Sequence, residues 1–242
     1  MPKTSLFDLE YNPLNGGSLK LIDLMPHPSC GVSADLAVVN AARVSFLGES
    51  KGDMKDKKLL RYLMQHRHTS PFEQVVFKFR VQAPLVTWWQ WVRHRTWSFN
   101  FQSGRYTEFE EDSFYAPDIW RRQSMSNKQG SDGAVDADVS YTMQDALLEH
   151  TANSYELYRA ALDAGVAREM ARLFLPAFAV FYQAVCSVDA HNLMQFIRLR
   201  DHDHAQHEIR VYAQAMRDIM RETMPWTMEA FDEQERDSGI RA

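Results

Sequence analysis

The sequence predicts an α/β (α+β) fold, in which a single helix-rich domain contains a small central antiparallel sheet. One stretch alternates apolar and polar residues like a strand, a second is its candidate partner, and most of the rest has helical spacing. The 242 residues are 45% hydrophobic and 24% charged, which suits one compact domain over residues 1–242. A chain of this length buries roughly 70% of the surface that its unfolded form exposes, so its stability requires no disulfide or metal.

The first third of the chain is expected to hold both strands. The stretch LKLIDLM, near the start, is a candidate strand. DMKDKKLLRYLMQHR then places Leu59, Leu60, Leu63 and Met64 on one stripe with the lysines opposite, which predicts a surface helix. VVFKFRVQ alternates apolar with polar residues, which is the period of a half-buried strand, and it is the expected partner of LKLIDLM.

A short helix is expected directly after that strand. APLVTWWQWVRHR begins with Pro84, which a first helical turn tolerates, and it continues without a breaker to about Arg95. Such a helix puts Gln90, Arg93 and His94 on one face.

The remaining chain is expected to be helical after an insertion. Residues 107–140 are first acidic and then rich in serine, glycine and aspartate, which predicts a long loop or flexible insertion. Helices follow from residue 141 onward, with ends predicted at Gly165 and Pro176. The stretch AFAVFYQAVCS is apolar nearly all round, which predicts a buried helix. Two further helices are predicted, from DAHNLMQFIRLR and HAQHEIRVYAQAMRDIMRET.

Charge and cysteine content restrict the class of protein. The net charge of −5 disfavours a nucleic-acid or membrane-surface binder, so an anion site must be a local group of cations. Cys30 and Cys186 lack the spacing of a zinc or redox motif, and a reducing cytoplasm is the expected location. No apolar run approaches the ~18 residues of a membrane span, and the N-terminal MPKTSLFDLEYNP lacks the apolar core of a signal peptide.

The stretch RHRTWSFNFQSGRY, residues 93–106, contains three arginines and a histidine but no carboxylate. Arginines bind phosphate through paired hydrogen bonds, and Ser103 and Gly104 add a hydroxyl and an unhindered backbone. Cations spread over this length can hold more than one phosphate, which favours a nucleotide or dinucleotide as the ligand. An exposed basic turn without a ligand would contain the same residues.

Two stretches rich in histidine are candidate metal sites. In HRHTSPFE, His66 and His68 have the spacing of metal ligands on a strand, but a helix end followed by an N-cap at Ser70 and Pro71 explains the same residues and is the preferred interpretation. In RLRDHDHAQHEIR, aspartates flank three histidines, a ligand set that suits zinc, iron or manganese. This second stretch matches neither HExxH nor the ExxH pairs of carboxylate di-metal bundles.

Arg172 and Arg200 lie in stretches apolar enough to be largely buried. A buried arginine is unfavourable unless it meets an anion, so each requires a structural carboxylate or a ligand.

The sequence does not indicate nucleophilic catalysis, because Cys186 lies in an apolar run and no GxSxG elbow surrounds Ser103. Without GxGxxG or a P-loop, a dinucleotide would be bound outside the Rossmann scheme.

Together these motifs resemble the flavin-dependent thymidylate synthase family. Its signature is Arg-His-Arg, seven residues and Ser, which is filled here by Arg93, His94, Arg95 and Ser103. Further blocks agree with the family in order and cover nearly all of the chain except residues 1–30 and 107–140. These blocks are AARVSF (41–46), HTSPFE (68–73), QWVRHR (90–95), SGRY (103–106), AREMARLFLP (167–176), HNLMQFIRLR (191–200), HAQHEIR (204–210) and PWTMEAF (225–231).

The resemblance implies reductive methylation of dUMP to dTMP in de novo dTMP biosynthesis. The carbon donor would be methylenetetrahydrofolate, and the hydride carrier would be FAD that NADPH has reduced. The family fold is an α/β subunit in a homotetramer whose active sites are shared between chains. Members use no cysteine nucleophile, which agrees with the apolar surroundings of Cys186.

The resemblance also assigns site residues by position. Arg200 would lie at the pyrimidine as the catalytic residue and favour loss of the N3 proton, since a fixed cation stabilises developing negative charge. The residues that would bind dUMP, chiefly at its phosphate, are Gln90, Arg93, Ser103, Gly104, Arg105 and, from another subunit, Arg172. The residues that would bind FAD are Ser70, Arg93, His94, Arg95, Asp189, His191 and Gln195. No metal ligand is implied.

The chain departs from the family pattern two places before Ser103. Many members have a glutamate or glutamine there, whereas this chain has Phe101 followed by Gln102. We expect Phe101 beside the cofactor, and the ligand contact to pass to Gln102 or to the backbone.

Two other classes of function remain open. A metal-dependent hydrolase would use His202, His204 and His207, and predicts bound metal. An RNA-binding protein would use residues 93–106 to bind phosphates and stack bases, and predicts steep salt dependence. The acidic net charge and the apolar stretches around Arg172 and Arg200 count against RNA binding.

Overall fold

A four-stranded antiparallel sheet with helices packed on one face forms the centre of the structure. The computed structural model describes residues 6–239, so residues 1–5 of the N-terminal stretch considered for a signal peptide lie outside the described residues. The strands are β1 (Ser18–Met25), β2 (Val76–Pro84), β3 (Ser98–Phe101), β4 (Arg121–Gln123), β5 (Ser131–Ala134) and β6 (Phe181–Asp189). The α-helices are α1 (Ala34–Arg43), α2 (Asp53–Gln65), α3 (Leu85–Trp91), α4 (Ala137–Asp163), α5 (Arg168–Ala171), α6 (Ala190–Arg200), α7 (His207–Thr223) and α8 (Pro225–Asp237). The predicted helix-rich class with a small antiparallel sheet is confirmed.

The central sheet has the strand order β1-β2-β6-β3, and all neighbouring strands are antiparallel. The β1-β2 pair confirms the expected partnership of LKLIDLM and VVFKFRVQ. Phe77, Phe79 and Val81 are buried on one face of β2, whereas Lys78 and Arg80 are exposed on the other. The alternation therefore places the main hydrophobic core between this face and residues of α6, α7 and α8.

The stretch FYQAVCSVD is strand β6, so the prediction of a buried helix there was wrong. The strand lies between β2 and β3, and its residues Ala184, Cys186 and Val188 are buried in alternation. A short apolar run fits a buried strand as well as a buried helix, because periodicity does not separate the two at this length.

Residues 107–140 contain a two-stranded hairpin, which differs from the predicted loop. Strand β4 pairs with β5, and Gln123 Nε2 donates to the carbonyl oxygens of Asn127, Lys128 and Gly130 at 3.3, 3.2 and 3.0 Å. The sequence did not reveal these strands because they are short, polar and almost entirely exposed. We call residues 121–134 the β4-β5 hairpin.

Helix α4 begins within the predicted insertion and ends before Gly165, as predicted. Gly165 has a φ of 80°, the left-handed conformation that favours glycine after a helix. The helix packs on a second small core that is separate from the main one. This core contains Phe109, Tyr158, Ala171, Leu175 and Val180.

Two predicted helix ends differ from the structure. Helix α3 ends at Trp91 rather than near Arg95, because a turn replaces the helical bonds after Val92. Ser70 does not cap a helix; only a short 3-10 turn, Phe72–Gln74, follows Pro71, and it has no side-chain cap.

Among the described residues, the helices are too short or too polar to cross a membrane.

Candidate active site

The Arg-His-Arg motif lies in the turn that follows α3. His94 N donates to the Trp91 carbonyl oxygen at 2.9 Å, which turns the chain towards β3. Arg93 and Arg95 are exposed as a result, whereas His94 is half-buried. The His94 ring packs edge-on against Phe196 of α6, with 4.9 Å between ring centroids. The turn therefore presents two cations to solvent and holds one imidazole inward.

Arg200, at the end of α6, joins this turn to α3. Its Nε donates to His94 Nε2 at 2.9 Å, and its Nη1 donates to Gln90 Oε1 at 3.5 Å. Burial and then the charge of Arg200 lower the pKa of His94 to about 4, so the ring is neutral at pH 7. A neutral ring that accepts at Nε2 carries its proton on Nδ1. His94 thus acts as a fixed acceptor that orients the guanidinium.

The arginines of this group lack carboxylate partners. Burial and then the charge of Arg93 lower the pKa of Arg200. Within residues 6–239, none of the ion pairs involves Arg93, Arg95 or Arg200. Cations brought together without a carboxylate favour binding of an anion. We call Gln90, Arg93, His94 and Arg200 the Arg200 group.

The Ser103-Gly104-Arg105 loop forms a second group, built mainly from backbone. A Cβ on Gly104 would lie 2.6 Å from the Phe109 ring and 3.5 Å from Arg172 Cδ, so only glycine fits. Ser103 Oγ accepts from Arg105 N at 3.3 Å. The structure places Arg172 against this loop within one chain, whereas the resemblance implies that it comes from another subunit. We call residues 103–105 and Arg172 the Ser103 loop.

Arg105 and Arg172 both contact Glu169. Arg105 Nε lies 3.4 Å from Glu169 Oε2, and Arg172 Nε donates to the Glu169 carbonyl oxygen at 3.3 Å. The Arg105–Glu169 pair is exposed, so it holds Arg105 only weakly. Arg172 and Arg200 are half-buried rather than largely buried as predicted, because each lies at the end of its helical segment.

His191 and Gln195, one turn apart on α6, line a cavity of about 300 Å³. Arg198 also lines it; its Nε is buried and has no hydrogen-bond partner among the described residues, and burial lowers the pKa of Arg198. Ser70 lies in an adjoining groove that shares His68 with the cavity. The structure thus brings three predicted FAD residues near one another, namely Ser70, His191 and Gln195. The Arg-His-Arg turn does not line this cavity or its adjoining groove.

Three predicted site residues make contacts within the fold. The Phe101 ring packs against Trp88, with 4.8 Å between centroids. Gln102 N pairs with the β6 backbone at 2.8 Å, and its side chain reaches Thr107 at 3.3 Å. Asp189 caps α6 by accepting from Asn192 N at 2.9 Å. Each of these contacts holds the side chain within the fold, and the polar groups of Gln102 and Asp189 can still form a further hydrogen bond.

Sequence reasoning missed Gln206, which contacts the Arg200 group, and Glu208, which contacts Gln206. Gln206 Oε1 accepts from Gln90 Nε2, and Gln206 Nε2 donates to Glu208 Oε2 at 2.8 Å. Glu208 is buried, and its Oε1 accepts from Arg121 Nη2 at 2.6 Å and from Tyr115 OH at 3.0 Å. Burial opposes ionisation of Glu208, but the bonds from Arg121 and Gln206 outweigh it and lower the pKa. The sequence feature that could have indicated them is Glu208 itself, a glutamate at the start of α7, where apolar residues recur at helical spacing.

The histidine cluster does not form a metal site. The rings of His202 and His204 stack with 4.9 Å between centroids, and Asp201 pairs with Arg217 Nε at 2.8 Å. In the part of the chain that the structure describes, no three His, Cys, Asp or Glu residues are grouped to hold a metal.

The chain matches known proteins over most of its length. Residues 21–226 match the family model described as thymidylate synthase complementing protein. A flavin-dependent thymidylate synthase of Thermosipho africanus is 43% identical over 223 residues, which are 92% of this chain and 94% of the relative. The enzyme of the same name from Thermus thermophilus is 44% identical over 220 residues, 91% of this chain and 77% of the relative.

Solved structures agree with these sequence matches. The UMP/dUMP methylase PolB from Streptomyces cacaoi, bound with 5-Br UMP, is 35% identical with a TM-score of 0.78 and covers 90% of this chain and 94% of its own. The same enzyme bound with 5-Br dUMP has a TM-score of 0.79 at 35% identity, with 90% and 95% covered. The names of these proteins give no support to a metal hydrolase or an RNA-binding protein.

Proposed function

The chain belongs to the flavin-dependent thymidylate synthase family, and from this premise we propose how its residues act in the reaction. It is a methyltransferase that converts dUMP to dTMP with a flavin cofactor. The cofactor is FAD, with methylenetetrahydrofolate as carbon donor and NADPH as reductant in this proposal. Residues 1–242 act as one catalytic domain in the reducing cytoplasm, where free Cys30 and Cys186 are expected.

One observation carries the assignment of the Arg200 group to substrate. Arg200 is half-buried, is bonded to neutral His94 and to Gln90, and forms no ion pair with the described carboxylates. In the proposal its guanidinium faces the pyrimidine of dUMP. A fixed cation stabilises the charge left when N3 loses its proton, and it does so without having to reorganise. Arg200 is therefore the catalytic residue.

The Ser103 loop is proposed to bind the dUMP phosphate. Arg105 pairs with the Glu169 carboxylate, whereas Arg172 bonds the Glu169 carbonyl oxygen and Tyr182. Among the described residues, the two cations thus share one carboxylate, and the loop keeps excess positive charge. Buried Gly104 lets the backbone approach the ligand, and Ser103 adds a hydroxyl. Gln102 directly precedes the loop in sequence; its Nε2 donates to Thr107 Oγ1 and its Oε1 accepts from Gln183 N, and each end of the amide can form one further hydrogen bond to a ligand. Arginines provide bidentate contacts to phosphate, which favours a nucleotide over a neutral ligand.

The residues assigned to FAD fit a dinucleotide cofactor. Beside His191 and Gln195, Arg198 Nε is a buried donor that no group within residues 6–239 bonds, and the exposed Arg93 and Arg95 can bind phosphate oxygens. When bound, FAD supplies the hydride that reduces the transferred carbon unit. The side chains proposed to hold it are Ser70, Arg93, His94, Arg95, Phe101, Asp189, His191 and Gln195.

A homotetramer with shared active sites is proposed as the active state. Phe46 and Leu47 are 88% and 98% exposed beside the groove that contains Ser70. Leu173 and Phe178, close in sequence to Arg172, are also exposed. Large apolar side chains clustered at the surface favour coverage by another protein surface. Covering them with a second copy would bring its site residues next to these groups.

The direct test is formation of dTMP from dUMP by the purified protein. The complete mixture contains FAD, methylenetetrahydrofolate and NADPH, and each is omitted in turn. We expect dTMP only in the complete mixture. Formation of dTMP without methylenetetrahydrofolate or without NADPH would overturn the proposed co-substrates, and no dTMP in the complete mixture would overturn the proposed function.

A further inference from the structure

A line of hydrogen bonds connects the β4-β5 hairpin to the Arg200 group. Arg121 of the hairpin bonds Glu208 at 2.6 Å, and Glu208 accepts from Gln206 at 2.8 Å. Gln206 in turn accepts from Gln90, which accepts from Arg200 at 3.5 Å. We call Glu208, Gln206, Gln90 and Arg200 the amide relay.

The two ends of the relay fix its direction. A carboxylate only accepts hydrogen bonds and a guanidinium only donates them. Glu208 therefore requires the amide nitrogen of Gln206, which turns the Gln206 oxygen towards Gln90. Gln90 must then offer its own nitrogen to Gln206 and its oxygen to Arg200. Glu208 at one end and Arg200 at the other thus require the same orientation of both amides. If the Gln90 or Gln206 amide rotated by half a turn, it would lose its hydrogen bonds to both of its neighbours.

The acceptor end of the relay is firmly held. Glu208 is 3% exposed, and it accepts from Arg121, Tyr115 and Gln206. Charge-assisted bonds of this kind are the stronger ones in proteins, and a buried carboxylate with several donors has little freedom. The relay therefore starts from a fixed point, Glu208 of α7, which Arg121 of the β4-β5 hairpin helps to hold.

We propose that Gln206 and Glu208 are positioning residues that fix the amide of Gln90, and that this fixed amide selects uracil over cytosine nucleotides. The inference rests on the proposed function, in which Arg200 and its neighbour Gln90 face the pyrimidine. Uracil offers an N3–H donor and an O4 acceptor, whereas cytosine offers the opposite pattern at the same two positions. A freely rotating amide pairs with either base, but a fixed amide matches only one.

The relay also gives the β4-β5 hairpin a role. Arg121 and Tyr115 both belong to residues 107–140, and both donate a hydrogen bond to Glu208 Oε1. The insertion thus acts at the site through Glu208 and needs no ligand contact of its own.

The test compares dUMP with dCMP on the FAD-loaded protein. Affinities are read from the change in flavin absorption for the wild type, Glu208→Gln and Gln206→Met. Glu111→Gln serves as a matched control, because Glu111 is an exposed glutamate outside the relay. The wild type is expected to prefer dUMP by on the order of 100-fold. Both relay variants should lower this ratio by about tenfold while FAD affinity is unchanged, and the control should retain it.

The dUMP/dCMP ratio separates positioning from a general structural defect, because both affinities come from the same folded fraction. Gln206→Met removes the relay without placing a neutral group at the buried position 208. An unchanged ratio in both variants would overturn the relay while leaving the proposed function intact. A wild type that responds to neither nucleotide would overturn both proposals.

Discussion

The Arg200 group and the Ser103 loop both concentrate positive charge, but they are built differently. The Arg200 group consists of side chains from α3, α6 and the turn after α3, and hydrogen bonds restrict the orientations of Gln90, His94 and Arg200. The Ser103 loop consists of backbone around a buried glycine, with Arg105 exposed and loosely paired. Fixed side chains suit charge that develops during a reaction, whereas an open loop suits charge that the ligand already carries. We therefore expect changes in the first group to reduce kcat and changes in the second to weaken dUMP binding.

Arg200→Ala is expected to have the largest effect. It removes the cation proposed at the pyrimidine, so kcat for dTMP formation should fall by about 10²–10³-fold. FAD titration should still give a saturable spectrum, because the cavity that contains His191 and Gln195 is unchanged. Arg122→Ala is the matched control, since Arg122 is exposed on β4 and should leave kcat unaltered. Wild-type turnover in Arg200→Ala would remove Arg200 from the mechanism.

Gly104→Ala should affect the second region almost as strongly, but on a different quantity. The new Cβ would meet the Phe109 ring at 2.6 Å, so the loop must shift away from its ligand-binding position. We expect the Kd for dUMP to rise by up to about 10²-fold, with a much smaller change in kcat at saturating dUMP. Gly48→Ala is the control, since the nearest atoms to its Cβ would lie at 3.9 and 4.0 Å. An unaltered Kd would mean that the loop does not contact dUMP.

Arg172→Lys is a smaller change at the proposed phosphate contact, and its expected effect on dUMP binding is correspondingly smaller. Lysine keeps the charge but loses the planar pair of donors, so dUMP binding should weaken by about tenfold. The kcat should stay close to that of the wild type. Measuring KM and kcat for dUMP separates these quantities. A loss confined to kcat would place Arg172 with the first region instead.

The smallest expected effect is a pH dependence specific to the Arg200 group. Burial and the charge of Arg200 lower the folded-state pKa of His94 to about 4, below the unfolded value of about 6.5. Between these values the unfolded chain binds the proton and the folded chain does not, so the free energy of unfolding falls as pH falls through this window. Denaturant unfolding at several pH values should show a smaller fall for His94→Gln than for the wild type. Equal falls would mean that His94 does not titrate as inferred.

The two regions also differ in how far the sequence predicted them. Residues 103–105 of the Ser103 loop are contiguous, so they could be recognised from the sequence alone, although the packing of buried Phe109 against Gly104 could not. The Arg200 group joins residues 106 positions apart, as His94 and Arg200 are, and no local pattern reports such a contact. The family resemblance identified both residues but not their bond. Gln206 and Glu208 were missed because a hydrogen-bonded relay leaves no period in the sequence.

The fold shows the same division between local and distant information. The alternation of VVFKFRVQ predicted β2, and its pairing with β1 is confirmed. Strand β6 was missed because its apolar run is short, and periodicity does not separate a buried strand from a buried helix at this length. The β4-β5 hairpin was missed because its bonds are made by backbone and by Gln123, which leave no apolar pattern.

The central claim is that the Arg200 group and the Ser103 loop together hold dUMP beside the flavin. The most direct measurement is the visible absorption spectrum of the purified protein during titration with FAD, followed by titration with dUMP. The expected result is a saturable flavin spectrum that shifts when dUMP is added, with the dUMP-induced shift requiring a higher concentration in Gly104→Ala. A flavin spectrum that saturates but stays unchanged by dUMP would contradict the shared site.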